Sequence, residues 1–198
     1  MPTILRGLYI KRKVFFFEKL LPDPCFRTDS RLDITVKILR SDEFLKISKK
    51  FENFSELEAK RRLRAGHISF GAKLSGEFIH LTWISFDEAY VGSLERKIRV
   101  YPNSAYIYDT YTIPEYRGLG IAPKVMHEAL HYLYKTKKIR TAYMAISQDN
   151  FPSLRTAQKE TFRKIGAITY TRIYKLKLYR FKGETREDYN KLRAMFPY

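Results

Sequence analysis

The most regular pattern of apolar positions predicts an amphipathic helix over about residues 120–136. Apolar residues recur there at spacings of three and four, which places them along one side of a helix: Ala122, Val125, Met126, Ala129, Leu130 and Leu133. A β-branched and aromatic stretch at 105–113 precedes the helix and predicts a strand. Gly118 and Gly120 stand between the two, so this segment is predicted to be a turn from strand to helix.

Similar patterns elsewhere predict further strands and helices around one sheet. Alternating apolar and polar residues predict strands at about 4–20, 32–39, 67–74, 78–86, 140–146 and 167–181. Capping residues and helical spacing predict helices at about 41–51, 55–63, 152–164 and 185–195. Residues 87–103 lack such a pattern and are predicted to be irregular. This order of elements predicts a mixed α/β (α+β) fold, with helices flanking a sheet.

Short motifs predict how some of these elements begin and end. Ser55 and Glu58 have the spacing of a capping box at the start of a helix, and Gly66 can end that helix. Ser75 and Gly76 lie between two predicted strands and are typical of a hairpin turn.

The length of 198 residues fits one domain, which we predict to span 1–198. The apolar run at 14–17 is far shorter than a membrane-spanning segment, and the first residues lack a signal-peptide pattern. Cys25 is the single cysteine, so no disulfide can form within the chain. A reducing, cytoplasmic location is therefore expected.

The charge of the chain is strongly positive. It has 38 Lys and Arg against 21 Asp and Glu, a net charge of +17, and such a field concentrates anions near the surface. The candidate partners are a phosphorylated cofactor, an anionic substrate, nucleic acid or an acidic membrane. A basic surface that only keeps the protein soluble is an equally good interpretation for most of these residues.

The basic residues form four clusters along the chain. They are Lys46-Lys49-Lys50, Lys60-Arg61-Arg62-Arg64, Lys135-Lys137-Lys138-Arg140 and Arg172-Lys175-Lys177-Arg180-Lys182. Tyr170, Tyr174 and Tyr179 interleave the last cluster, a mixture that could stack on bases and neutralise phosphates. Contact with tRNA or the ribosome is one hypothesis, and an exposed face of a strand pair is the other.

The turn at 116–122 carries the strongest chemical signal. A glycine-containing turn at a helix N-terminus points backbone N–H groups at one position, where the helix dipole adds positive potential. The glycines let a ligand approach the backbone closely, and a diphosphate is the natural occupant. The segment is neither a Walker loop nor the GxGxxG fingerprint of dinucleotide-binding folds.

Residues 114–122 resemble the acyl-CoA loop of the GNAT superfamily of N-acetyltransferases. That loop reads [Q/R]-x-x-G-x-[G/A], and Arg117, Gly120 and Ala122 fill its fixed positions. A second segment at 150–166 is similar to the N-x-x-S…K-x-G-F segment of the family. The resemblance covers about 31–178, which would make 1–30 a strand extension, 31–182 the core and 183–198 a tail.

The resemblance implies the family's mostly antiparallel central sheet and acetyl-CoA as co-substrate, with no metal. It implies that the CoA pyrophosphate is held by Arg117, Gly118, Leu119, Gly120, Ile121 and Ala122. The pantetheine arm would pair with the end of the preceding strand, at Tyr111, Thr112 and Ile113, where a backbone N–H would bind the thioester oxygen. Asn150, Ser153 and Lys159 are the matched residues of the second segment. Candidates for the CoA 3′-phosphate are Lys124, Arg155 and Lys159, although a solvated helix surface explains them as well.

The resemblance leaves the acid and the base open. Many members place a tyrosine acid two residues before the lysine matched to Lys159, where this chain has Ala157, and Thr161 replaces the family's glycine. A second register, on 164–166, would put Phe162 at the acid position. The candidate catalytic residues are Asp109, as proton acceptor, with Tyr108 and Tyr106, for which a core or pocket-wall role is the more common one.

Two further patterns suggest other chemistry. His127, Glu128 and His131 match the zinc signature HExxH, but helical geometry places both histidines away from the apolar side of the helix, facing solvent. Cys25 lies outside the motifs and is a poor nucleophile candidate. Trp83, with Tyr106, Tyr108 and Tyr111, could line a pocket for a sugar or aromatic acceptor.

These observations predict an N-acetyltransferase that moves an acetyl group from acetyl-CoA to a primary amine by direct attack. The acceptor could be an amino sugar, a small amine or a peptide amine. The alternative is a non-catalytic CoA-binding or RNA- or tRNA-binding module on the same fold. A homodimer is left open.

Overall fold

The computed structural model describes residues 9–21, 32–44, 47, 51 and 55–197. The described residues form two compact units. The first unit comprises 9–19, 87–101 and 143–197, and the second comprises those between 20 and 86 together with 102–142. The predictions for Cys25, for Lys46-Lys49-Lys50 and for most of the helix at 41–51 lie outside the described residues. The single-domain arrangement stays a prediction.

Ten strands and four α-helices occur in the part of the chain that the structure describes. The strands are β1 (Tyr9–Leu20), β2 (Thr35–Ile38), β3 (Ile68–Leu74), β4 (Glu77–Ser85), β5 (Glu88–Val91), β6 (Arg96–Arg99), β7 (Ser104–Thr112), β8 (Thr141–Ser147), β9 (Arg163–Ile173) and β10 (Leu176–Gly183). The helices are α1 (Glu56–Arg64), α2 (Ile121–Lys135), α3 (Phe151–Lys159) and α4 (Arg186–Met195). Short 3₁₀ helices lie at Ser41–Glu43, Gly92–Leu94 and Pro114–Tyr116.

The second unit is built on antiparallel strands in the order β7-β4-β3-β2. Ser75 and Gly76 have φ values of 50° and 86°, the left-handed backbone that a tight hairpin requires, so the predicted turn between β3 and β4 is confirmed. Helix α2 packs on β3, β4 and β7 through its apolar side. The predicted stripe is correct from Val125 onward, but Ile121 is buried in place of Ala122.

The first unit has strands in the order β10-β9-β1-β8, with β1 in the interior of the row. β1 and β9 pair antiparallel, as do β9 and β10. Helix α4 packs on β9, β10 and β6, and Phe196 beyond it contacts the rings of Phe16 and Phe181 at 5.7 and 5.4 Å. The strand predicted near the start of the chain thus belongs to the core of this unit.

The prediction that 87–103 is irregular is wrong. β5 and β6 pair as a two-stranded antiparallel sheet across these residues. Each strand has only four residues, and the side chains of Ala89, Val91 and Ile98 supply its buried positions. Strands this short contain one or two apolar–polar alternations, which is too few for the pattern to be recognised.

Helix α3 ends earlier than predicted, at Lys159. Thr161 follows with φ 56°, the left-handed conformation that commonly ends helices and favours glycine, which is the residue the family has there. Lys164 and Gly166 lie in β9, so the alternative register of the second motif is excluded. Gly166 serves strand packing instead, because a Cβ there would lie 2.2 Å from the carbonyl oxygen of Lys182.

The mixed α/β fold class is confirmed, while one predicted cap is wrong. The side chain of Ser55 makes no capping hydrogen bond to α1. Glu58, the other member of the predicted capping box, binds Arg61 and Arg62. The predicted stop at Gly66 is confirmed by its φ of 79°. None of the described helices is long and apolar enough to cross a membrane.

Candidate active site

Strand β7 contains a bulge at Asp109, and this bulge places two consecutive side chains on one side. Asp109 has φ 44°, and the register between β4 and β7 shifts between Leu81 and Trp83. Successive side chains of a regular strand point to opposite faces, but a bulge breaks this alternation. As a result both Tyr108 and Asp109 contact the same residue of α1, Arg62.

Arg62 is fixed from several directions by charged and aromatic groups. Its Nη2 donates to Oδ2 of Asp109 at 2.7 Å, and its Nε donates to Oε1 of Glu58 at 3.0 Å. Its guanidinium lies 5.2 Å from the ring of Trp83 and 5.0 Å from that of Tyr108. Glu58 is one helical turn before Arg62, so the pair is a feature of α1 itself. The arrangement holds the Asp109 carboxylate in one orientation.

Tyr108 and His67 form a second polar contact beside Asp109. The Tyr108 hydroxyl lies 2.5 Å from Nδ1 of His67, and Nε2 of His67 lies 3.4 Å from Oγ of Ser85. Burial raises the pKa of Tyr108 well above the ordinary value of a phenol, so it is a neutral hydrogen-bond donor near pH 7. Tyr106 is buried and stacks on Tyr108 at 5.8 Å.

The end of α1 supplies both Arg62 and His67 to this cluster. Gly66 has a left-handed backbone, and the N–H of His67 donates to the carbonyl of Arg62 at 3.0 Å. The helix end therefore fixes the spacing between the guanidinium and the imidazole. Sequence reasoning connected neither residue with the candidate site, although the Glu58–Arg62 spacing and the glycine stop were visible.

The predicted acceptor pocket is wrong at Trp83. This side chain is fully buried, with Phe44 stacked on it at 5.2 Å and Arg62 on its ring. Neither ring face of Trp83 can contact an acceptor. The Asp109 side chain, by contrast, is 56% exposed and can be reached from solvent.

Beyond the bulge, the end of β7 is held by the residues that follow it. The N–H of Ile113 donates to the carbonyl of Ile79 at 3.0 Å, so it cannot serve the thioester as the resemblance suggested for Thr112 or Ile113. N–H groups of a strand alternate in direction, and that of Thr112 therefore points away from β4. Arg117 folds back, donating from Nε to the carbonyl of Thr112 at 3.0 Å and lying over the ring of Tyr111.

A buried histidine fixes Thr112 from the neighbouring strand. His80 on β4 is fully buried, and its Nδ1 lies 2.7 Å from Oγ1 of Thr112. Burial lowers the pKa of His80 to about 3, so the ring is neutral at physiological pH. The imidazole thus orients the strand end without adding charge to it.

The predicted phosphate turn has the backbone that diphosphate binding requires. Gly118 and Gly120 have φ values of 79° and 80°, and α2 begins directly after Gly120. The N–H groups of Ile121 and Ala122 belong to the first helical turn, where no intrahelical acceptor exists. That turn contains no acidic residue, so the dipole field at the helix start is not cancelled. These features fit a diphosphate.

The second predicted motif, at 150–166, lies in the first unit. One of its residues, Asn150, has a local structural role. Oδ1 of Asn150 accepts from the N–H of Ser153 at 3.3 Å, which caps helix α3. Lys159 and Arg155 are exposed on α3.

The HExxH match is only partly exposed. On α2, Glu128 and His131 are exposed, but His127 is half-buried, so the expectation that both histidines face solvent is wrong for His127. Within the described chain these residues belong to no group of three potential metal ligands.

The first unit has a polar cavity of about 290 Å³. It is lined by Lys11, Arg12, Lys13, Gly92, Ser93, Ser147, Gln148 and Asp149. None of the residues that we predict to bind CoA lines it.

Comparison with solved structures shows the same fold at low sequence identity. A protein from Novosphingobium aromaticivorans assigned to the GNAT family aligns with a TM-score of 0.58 and 15% identity over 82% of this chain and 64% of its own. A GCN5-related N-acetyltransferase from Sphaerobacter thermophilus gives 0.60 and 10%, over 91% of this chain and 56% of its own. The chain therefore spans less than two thirds of the length of either protein.

A smaller relative is covered almost completely. Aminoglycoside N-acetyltransferase AAC(6')-Iy in complex with CoA aligns with a TM-score of 0.52 and 18% identity over 65% of this chain and 91% of its own. No functionally curated protein matches the sequence. The sequence model of the acetyltransferase (GNAT) family matches residues 37–162, most of the chain. The resemblance found in the sequence is thereby confirmed: this chain belongs to the GNAT acetyltransferase family.

Proposed function

We propose that the protein transfers an acetyl group from acetyl-CoA to a primary amine. The observation that carries the proposal is the position of the Asp109 carboxylate. It lies exposed at the bulge of β7, in the strand that leads directly into the glycine turn before α2. A proton acceptor and an anion-binding helix start are thus both fixed by one continuous strand–turn–helix segment.

The turn at 118–122 would hold the diphosphate of acetyl-CoA, which supplies the acetyl thioester when bound. Backbone N–H groups at Gly120, Ile121 and Ala122 would donate to the phosphate oxygens. The N–H of Thr112, which points away from β4, would donate to the thioester carbonyl oxygen as negative charge develops there. His80 supports this role because it holds Thr112 through its side chain.

Asp109 would receive the proton that the acceptor must lose. An ammonium group has no lone pair, so the amine must be deprotonated before or during its attack on the carbonyl carbon. Arg62 binds Oδ2 of Asp109 and so orients the carboxylate. The new C–N bond forms as the C–S bond breaks, and the amine proton passes to Asp109 directly or through water.

Tyr108 is the candidate proton donor to the leaving thiolate. A phenol is protonated near pH 7, and the contact of Tyr108 with His67 provides a route for replacing the proton. This assignment would supply the acid that the family pattern lacks at Ala157. Tyr106 packs behind Tyr108 and has no role in the proposal.

The acceptor classes to be screened are amino sugars, small amines and peptide amines. One structural neighbour is named as an aminoglycoside N-acetyltransferase, but at 18% identity the likeness extends to the fold alone.

The test compares two glycine substitutions with the same backbone cost. Gly120→Glu would place a carboxylate against the diphosphate and should abolish acetyl-CoA binding in calorimetry and thiol release in an amine screen. Gly76→Glu is the matched control, because Gly76 also has a left-handed φ but lies in the β3–β4 hairpin. It should lose similar stability and keep acetyl-CoA binding.

Two results would overturn the proposal. One is equal acetyl-CoA affinity in Gly120→Glu and Gly76→Glu, and the other is a wild-type protein that releases no thiol with any amine class while binding acetyl-CoA. The contributions of Asn150, Ser153 and Lys159 to CoA binding stay predictions from the family resemblance.

A further inference from the structure

One face of the first unit's strands carries exposed apolar and basic side chains together. Tyr9 of β1, Ile173 of β9 and Leu176 of β10 lie side by side in the paired strands. Because side chains alternate along a strand, every second residue of each strand, counted from these three, lies on the same face. We call the exposed part of it the distal face; it comprises Tyr9, Lys11, Lys13, Ile173, Leu176, Leu178, Arg180 and Lys182. The opposite face is packed against α4 and the residues after it.

The apolar residues of the distal face are unusually exposed. Tyr9, Ile173, Leu176 and Leu178 are between 48% and 58% exposed, and Tyr174 in the adjacent hairpin turn is 64% exposed. Half of the large exposed apolar side chains among the described residues lie in this one place. A contiguous exposed apolar patch on a folded protein marks a surface that is covered by a partner.

The basic residues of the two faces differ in their partners. On the packed face, Arg172 and Lys177 bind the carboxylate of Glu95 at 3.1 Å. On the distal face, by contrast, no ion pair within the described residues involves Lys11, Lys13, Arg180 or Lys182. The sequence contains no Asp or Glu at 9–17 or at 163–183, so both segments lack acidic residues altogether. Asp149 lines a cavity together with Lys11 and Lys13, but the basic residues of the distal face outnumber it. The distal face is therefore complementary to an anionic partner.

The composition of the distal face favours one kind of partner over the others. A second copy of the chain would bring like charges together on this face, which is unfavourable. A single-stranded nucleic acid stacks its bases on exposed rings, but Tyr170 is fully buried and stacks on Tyr179 at 5.2 Å. The exposed rings Tyr9 and Tyr174 are outnumbered by the aliphatic side chains of Ile173, Leu176 and Leu178. Leucine and isoleucine side chains gain little from stacked bases and much from an apolar phase.

We propose that the distal face binds the surface of a bilayer that contains anionic lipids. Ile173, Leu176 and Leu178 would enter the boundary between headgroups and acyl chains, with Tyr9 and Tyr174 at headgroup level, where amphipathic rings are favoured. The neighbouring lysines and Arg180 would bind lipid phosphates, each raising the partition coefficient about fivefold at low salt. The protein would attach peripherally, by strands and not by a spanning helix.

The experiment is sedimentation of the full chain with vesicles. Vesicles of phosphatidylcholine with about a third phosphatidylglycerol should bind the protein, pure phosphatidylcholine should bind it far less, and salt should weaken the binding. The variant Lys11→Glu/Arg180→Glu should lower the partition coefficient at least tenfold, and Leu176→Ser/Leu178→Ser should lower it by a similar factor. All four positions are exposed.

Matched controls show whether a loss of binding is specific to the distal face or follows from any change of net charge or hydrophobicity. Lys135→Glu/Lys138→Glu makes the same charge change at exposed residues of the second unit, and Leu20→Ser removes another exposed apolar residue. Both controls should bind like wild type. Absence of binding to the anionic vesicles at low salt, or equal losses in controls and patch variants, would overturn the proposal. Binding to an RNA oligomer that the patch variants abolish, without vesicle binding, would overturn it as well.

Discussion

Two arginines in the described part of the chain are each bound by two carboxylates, and the two clusters differ in how their carboxylates are exposed. In the second unit, Arg62 lies between Glu58 and Asp109. In the first unit, Arg163 of β9 binds Asp188 of α4 through two hydrogen bonds, at 3.0 and 2.8 Å, and also binds Glu18 of β1.

The burial is reversed between the two clusters. Arg163 is 52% exposed while Glu18 and Asp188 are 6% and 2% exposed, so the cation covers two buried anions and ties three elements together. Arg62 is only 17% exposed, and Asp109 is 56% exposed at a backbone position with unfavourable φ. Strained backbone and an accessible anion are features of a reactive site, whereas buried and fully bonded carboxylates are features of a structural one.

The largest expected effect is on catalysis. Asp109→Asn keeps the shape of the side chain but removes the proton acceptor, so kcat/KM for the amine should fall by about 10²- to 10⁴-fold. The melting temperature should change little, because the wild-type side chain is mostly exposed. Glu128→Gln, which removes an exposed carboxylate from α2, should keep full activity. An Asp109→Asn enzyme with wild-type kcat/KM would show that Asp109 is not the base.

The next effect is on stability. Arg163→Met leaves the buried carboxylates of Glu18 and Asp188 without their main partner, and the free energy of unfolding should fall by about 3 kcal/mol at pH 7. Lys164→Met is the matched control on the same strand, because its ion pair with Glu184 is exposed on both sides. It should cost less than about 0.5 kcal/mol. Urea unfolding measures both values.

The stability difference between wild type and Arg163→Met is expected to depend on pH. Hydrogen bonds from Arg163 lower the pKa of Asp188, so its contribution is complete above the ordinary aspartate pKa of 3.8 and is lost as pH falls through the lower native value. The difference between wild type and Arg163→Met should therefore be largest near pH 7 and shrink below about pH 4. A difference that persists unchanged at pH 2 would contradict this explanation.

The smallest effect concerns Arg62, which acts through Asp109. Arg62→Lys keeps the charge but loses the planar group that binds two carboxylates and lies over two rings, so kcat should fall about tenfold with the KM for acetyl-CoA unchanged. Arg61→Lys is the control, since Arg61 binds the same Glu58 but is 71% exposed. A rise in KM for acetyl-CoA, with kcat unchanged, would assign Arg62 to cofactor binding.

The sequence was sufficient where local signals are strong. The helix at α2, the hairpin turn at Ser75-Gly76 and the stop at Gly66 depend on periodicity and glycine conformation, and all were predicted. β5 and β6 were missed because four residues carry too little periodicity, and α3 was predicted too long because helical spacing continues past Lys159. The left-handed backbone of Thr161, which ends it, cannot be foreseen from a threonine.

The residues of the candidate site also differ in whether the sequence could predict them. Asp109, Tyr108 and the glycine turn lie within one continuous segment and could be proposed from it. Arg62 and His67 come from another part of the chain, and no local pattern connects them with β7. The bulge that brings them into contact depends on the pairing of β4 with β7, which is a long-range property.

The interior position of β1 constrains how the first unit can form during synthesis. Its partner on β9 follows 145 residues later at the Glu18–Arg163 contact, so the apolar side chains at 14–17 leave the ribosome long before the strand that covers them. Closing so long a loop is slow, and the waiting segment is exposed to misassociation. Nascent chains that stop before residue 163 should therefore depend on chaperones, and those that include the β9–β10 hairpin should be released from them.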